Sequence, residues 1–244
     1  MERLKEILNE LRQKSKSANL SDSELESIFS IYPFNKFEYI ICNLLADKII
    51  EIDDYLKIRN DYISRNKFLH LFEITSPRGF GEMWAQTHLN ELVQEFERPS
   101  KQTDKNYHGE YDFFLPLQNK EGIKVEVKAS RAVDSKSDEQ LTIKALATDS
   151  RKTFNMNFQQ LKPECTDVFI WIGVWRDKIK YWVLSADEVK NNKYYSKNQH
   201  SKGLKEIEEG QLWINEKNIR EFDQFLTAPS DIKIMTVLKA SKKI

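Results

Sequence analysis

The central part of the chain carries period-two patterns. In Lys124-Val125-Glu126-Val127-Lys128 the valines point one way, while Lys124, Glu126 and Lys128 point the other. Residues 111–117 read as a second strand, and Asn119-Lys120-Glu121-Gly122 between the two has turn composition, so a β-hairpin is predicted. Residues 167–175 form the most continuous apolar run, the pattern of a strand buried on both faces. Shorter runs predict strands over 178–184 and 210–214.

Helical spacing governs the rest. Residues 80–93 read as an amphipathic helix opened by Gly79 and Gly81, with Trp84, His88, Leu89, Leu92 and Phe96 along one stripe and Glu82 in the first turn. Residues 154–161 read as a short helix carrying Gln160, Ser185 starts another, and a further helix runs through Ile219, Phe222 and Phe225. The N-terminal stretch is helical throughout: Leu4, Ile7, Leu8 and Leu11 keep helical spacing, Ser21-Asp22-Ser23-Glu24 is a capping-box pattern, and residues 37–45 and 49–63 continue the theme. The expected organisation is an N-terminal helical subdomain over 1–76 and a second domain over 77–244, divided at Thr75-Ser76-Pro77-Arg78-Gly79. The expected fold class is α/β of the α+β kind, a mixed central sheet flanked by helices with the N-terminal helical layer packed beside it.

Composition narrows the setting. The 244 residues, 40% hydrophobic and 31% charged, are enough for a core without disulfides. Only Cys42 and Cys165 occur, both within apolar patterns, which fits buried thiols in a reducing cytoplasm. The chain starts as a charged amphipathic helix instead of a signal sequence, and no uncharged stretch is long enough to span a membrane. A cytoplasmic location is therefore expected.

The 38 basic and 38 acidic residues cancel, which at first argues against a nucleic-acid binder, but their distribution decides the matter better than the total. Ser130, Arg131, Lys136, Lys144, Arg151 and Lys152 form a locally basic, hydroxyl-rich stretch suited to phosphate oxygens. Residues 192–203, with Asn198, Gln199 and His200, read as a loop able to contact base edges, with Ser130 to Lys136 as the second candidate.

The chemistry concentrates at the hairpin. Its register brings Asp112 beside Glu126, and two close carboxylates repel unless a cation sits between them. Hard oxygen ligands of this kind suit Mg²⁺ or Mn²⁺. Lys128, on the face of Glu126, is placed to orient a water and to meet charge growing on a phosphate. Against this stands the plain alternative that the three charges form the solvated face of a hairpin.

Asp112, the thirteen residues 113–125, then Glu126-Val127-Lys128 resembles the signature of the PD-(D/E)XK nucleases, and more narrowly of the type II restriction endonucleases. Tyr111 stands where the family name has proline. Over residues 77–190 the order of helix, hairpin, glutamine-bearing helix and buried strand is similar to the αβββαβ core of that restriction-endonuclease-like fold. The resemblance implies Mg²⁺-dependent, sequence-specific cleavage of double-stranded DNA to 5′-phosphate ends. Asp112, Glu126, the Val127 carbonyl and Glu82 are then the expected metal ligands, with Lys128 and Gln160 completing the catalytic set. It also implies a homodimer and a cognate DNA methyltransferase in the same cell. Two other readings stay open: a structure-specific or repair nuclease of the same fold, and a non-catalytic DNA-binding module.

Overall fold

A computed structural model describes residues 42–117, 122–197 and 209–241. The chain divides into two compact units, Met1–Ser64 and Arg65–Ile244, a division that falls ahead of the Thr75–Gly79 stretch. Within the first unit, the described residues centre on helix α1 (Ile52–Arg65), whose Asp53 and Asp54 complement the positive end of the helix dipole. Tyr55 is buried, whereas Leu56 and Ile58 are exposed. The helical segments expected over residues 1–41 lie outside the described residues.

The second unit is a mixed α/β structure. Its described strands are β1 (Phe113–Pro116), β2 (Gly122–Arg131), β3 (Val133–Asp134), β4 (Phe154–Leu161), β5 (Val168–Val174), β6 (Ile179–Ser185), β7 (Tyr195–Lys197), β8 (Gly210–Asn215) and β9 (Leu226–Thr227). A five-stranded mixed sheet has the order β1-β2-β5-β6-β9, in which only β2 and β5 are parallel. A four-stranded antiparallel sheet has the order β3-β4-β8-β7. Helices α2 (Gln86–Leu92), α3 (Leu141–Lys144), α4 (Ala186–Lys190) and α5 (Ile232–Ala240) complete the unit.

Every residue of β5 is buried, because each of its faces meets a different core. Val168, Ile170, Ile172 and Val174 pack with Phe72, Phe80, Leu89 and Ile232 of the helical layer. Phe169 and Trp171 face the other way, toward Phe158, Leu212 and Phe222. The Phe158 ring stacks on Trp171 with centroids 4.7 Å apart. Burying a side chain of this size contributes about 1.5–3 kcal/mol. Gly173 lies on the aromatic side, where a Cβ would come within 2.5 Å of the Trp182 ring, so only glycine lets the two strands close.

Three elements differ from the sequence expectation. Residues 154–161 form strand β4, not a helix: Phe154, Met156 and Phe158 are buried while Asn155 and Asn157 are half-buried, a period-two pattern that the polar content disguises. The helix expected over 80–93 begins as a π turn, Gly79–Ala85, and becomes α-helical only at Gln86. Because α2 ends at Leu92, that side chain is exposed, and Val93 and Phe96 enter the core beyond it. The segment through Ile219, Phe222 and Phe225 is a 3₁₀ helix.

Other expectations match. The strands over 167–175, 178–184 and 210–214 are β5, β6 and β8. Ser185 caps α4 through a reciprocal box with Glu188. Glu188 also accepts from the buried Lys239 at 2.6 Å, tying α5 to the end of β6. Among the described residues no helix is long and apolar enough to cross a membrane.

Candidate active site

The β1–β2 pairing is antiparallel, with Phe113 opposite Val125, so the residue before β1 arrives beside Glu126. Asp112 donates its backbone N–H to the Val125 carbonyl at 3.0 Å. Its carboxylate is held at both oxygens: Oδ2 accepts the Val127 N–H at 2.8 Å, and Oδ1 accepts from Gln86 Nε2 at 2.6 Å. Gln86, itself buried, is in turn held by Arg98 through its Oε1, and the Arg98 guanidinium lies 4.7 Å from the centre of the Phe113 ring.

Glu126 projects from the middle of β2 and is only 3% exposed. Its Oε1 accepts from Lys128 Nζ at 2.7 Å, while Oε2 is buried with no hydrogen-bond partner. Burial pushes the Glu126 carboxyl up to about 7, against the pull of Lys128 and with a further push from Asp112. Burial likewise raises Asp112, offset by the Val127 N–H and then by Lys128 and Arg98.

An uncompensated buried carboxylate oxygen is costly, and two such acids side by side call for a proton or a cation. The donor set fits a hard divalent cation. Asp112 keeps lone pairs beyond its two hydrogen bonds, Glu126 Oε2 is unused, and the Val127 carbonyl points to the same side of β2 as its N–H, toward Asp112. Among the described residues, no three His, Cys, Asp or Glu side chains gather as a metal group. Glu82, the expected third acid, is exposed on the wall of the same cleft, where it accepts from Arg78 Nε at 2.7 Å and its charge helps raise the Asp112 carboxyl.

These groups open onto a cleft of ≈ 580 Å³ whose walls include the π turn, the Asp112 to Lys128 edge and the end of β4. Gln160 lines it, on the strand that replaces the expected helix. It sits at a register shift in β4 with φ 54°, a left-handed conformation rare outside glycine, and such shifts redirect side chains next to functional sites.

The basic stretch is divided. Ser130 lines the cleft and accepts the Asn157 N–H at 2.9 Å. Arg131 is bound to the carbonyls of Leu71 and Ile74 at 3.0 and 2.6 Å, and its guanidinium covers Phe80 at 4.2 Å. That guanidinium braces the core from a residue that also lines the cleft. Lys152 pairs with Asp134 at 2.8 Å. Lys136 and Arg151 are exposed and Lys144 half-buried, none of them on the cleft wall. Asn198, Gln199 and His200 lie outside the described residues, and the segment expected as a loop includes the edge strand β7.

The sequence reading missed Gln86 and Arg98. Gln86 is one helical turn beyond Glu82, the acid expected to complete the site, and it is the amide that reaches Asp112. The available signal was a glutamine next to the buried Ala85 in an amphipathic segment. Lys162, another cleft residue, lowers the Glu126 carboxyl from a distance. No family model, curated protein or solved structure matches this chain.

Proposed function

We propose that this protein is a Mg²⁺-dependent endonuclease of the PD-(D/E)XK kind that cuts double-stranded DNA at a specific sequence, in the manner of a type II restriction enzyme. The observation that carries the reading is the buried pair Asp112 and Glu126, adjoined by Lys128, with Glu126 Oε2 unpartnered at an open cleft. The antiparallel β1–β2 pairing and the parallel β2–β5 pairing support a restriction-endonuclease-like core around it.

Asp112, Glu126 and the Val127 carbonyl are the groups that would hold the cation, with Mn²⁺ as a substitute. Such a cation would supply neutralisation of phosphate charge and a lowered pKa for an attacking water. The protein's own groups do the remaining work. Gln86 and the Val127 N–H fix Asp112 in one orientation, and the Lys128 ammonium meets the negative charge that grows on the scissile phosphate. Water adds to phosphorus, the bond to the 3′ oxygen breaks, and the products carry a 5′ phosphate and a 3′ hydroxyl. Cutting both strands calls for two such sites, so the working form is a homodimer. A cognate methyltransferase would protect the host DNA in the cytoplasm.

The test is digestion of unmethylated phage DNA by the full chain in Mg²⁺ or in EDTA. Discrete fragments in Mg²⁺ alone, lost in Asp112→Ala and Glu126→Ala variants that still bind DNA, are the expected result. A smear would move the assignment to a structure-specific nuclease, and undiminished cutting by either variant would remove the site assignment.

A further inference from the structure

We propose that the outer face of the β4–β8 ribbon reads A·T base pairs in the major groove of the duplex entering the cleft. The proposal rests on the nuclease reading for its choice of duplex DNA.

The inner face of this ribbon is apolar: Phe154, Met156 and Phe158 of β4 and Leu212 and Ile214 of β8 are buried. The alternate positions project the other way, and they are Asn155, Asn157, Gln159, Gln211, Trp213 and Asn215. A solvated sheet face is ordinarily dominated by charged side chains. This one holds five amides around Trp213, an aromatic ring 42% exposed, and no carboxylate. Such a face does not repel a polyanion, and an exposed amide such as Gln159 offers both a donor and an acceptor.

The amides are organised. Asn157 lies opposite Trp213, and Asn155 opposite Asn215. Asn157 Nδ2 donates to Gln211 Oε1 at 3.2 Å, which holds the two amides together. Between the pairs Phe158–Leu212 and Leu161–Gly210, two residues, Gln159 and Gln160, stand against the single Gln211. The bulge therefore adds an amide beside the cleft, at the cost of a left-handed Gln160. Asn157, Gln159 and Gln160 line the cleft as well, so the amide face and the candidate active site form one continuous surface.

The chemistry selects the reader's target. A major groove about 12 Å wide admits a two-stranded ribbon, and β4 and β8 are the inner strands of a sheet whose outer strands, β3 and β7, are only two and three residues long; Asn and Gln pair with the N6 and N7 edge of adenine, and an apolar surface suits the thymine methyl. Gln159 is assigned to adenine, and Trp213 to thymine.

The test is selection from a pool of duplexes with a randomised segment, using the full chain carrying Glu126→Gln so that bound DNA survives, followed by the same selection with Gln159→Ala or Trp213→Ala added. Both added changes are at exposed positions, and melting curves verify that the variants fold. The expected result is a motif containing A·T pairs, with about tenfold or greater loss of preference at one adenine position for Gln159→Ala and one thymine position for Trp213→Ala. No motif, a motif of G·C pairs only, or a motif unchanged in both variants would overturn the proposal. The native chain is then given the selected duplex in Mg²⁺. A motif that responds to the variants but is never cut would leave base reading standing and remove the nuclease assignment. Cutting with an unresponsive motif would do the reverse.

Discussion

Gln86 Nε2 donates to Asp112 Oδ1 at 2.6 Å while Arg98 holds the other end of the same amide. The amide cannot turn over without facing Arg98 with a donor and Asp112 with an acceptor, so the relay presents a donor to Asp112 and fixes the orientation of its carboxyl group. Gln86→Ala is expected to cost about 10- to 100-fold in apparent Mg²⁺ affinity or activity, with DNA binding retained. Mg²⁺ titrations of cleavage check this, and a variant with an unchanged Mg²⁺ dependence would reduce Gln86 to a packing residue.

Lys128 is the nearest cation to Glu126 and faces the cleft. Lys128→Ala is expected to lower kcat by about 10²–10³ with a much smaller change in KM, as for a group whose charge matters most in the transition state. Single-turnover cleavage separates the two, and an equal loss in binding would argue for a role in ground-state grip instead.

The buried acid pair predicts an unusual pH dependence. Glu126 moves from an ordinary 4.5 in the unfolded chain to about 7 in the folded one, so folding favours its proton. The stability it confers is complete below about pH 4.5 and is lost as pH rises through about 7, and the raised Asp112 adds to the same slope. In EDTA the Tm should therefore fall across this window, and Glu126→Gln should flatten the fall. Mg²⁺ at a hundredfold excess over its Kd should restore about 2.7 kcal/mol, with the larger gain on the alkaline side. A Tm that rises across the window in EDTA would contradict the burial argument.

Phe158 joins the two sheets through its stack on Trp171. Phe158→Ala is expected to cost about 3–5 kcal/mol in urea unfolding, because the site is fully enclosed and cannot collapse around the loss. A loss below about 1 kcal/mol would mean that the second sheet contributes little to the common core.

Much of this was legible in the chain. The alternation in residues 123–128 gave the face shared by Glu126 and Lys128, and the apolar run over 167–175 gave a strand covered on both sides. What failed were cases where local composition and tertiary burial disagree. Asn155, Asn157, Gln159 and Gln160 made β4 look too polar for a strand, although Phe154, Met156 and Phe158 kept the strand period. Glu82, the natural acid to nominate, does line the cleft and pairs with Arg78, but the sequence did not show that Gln86 one turn later is the residue bonded to Asp112. Arg131 lies on the cleft wall, but nothing local shows that it also donates to the Leu71 and Ile74 carbonyls across the fold.

The division of β5 between two cores also acts as a key for alignment. Its even positions carry aliphatic side chains and its odd positions carry Phe169, Trp171 and Gly173, shapes that the opposite side has no room to exchange. A slip by one residue would drive an indole into the aliphatic layer and a β-branched chain against the rings. Since Glu126 lies opposite Phe169 and Lys128 opposite Trp171, the bulk of those two rings indexes the acid and the ammonium along the sheet, and the fully buried β5 sets the phase of β2.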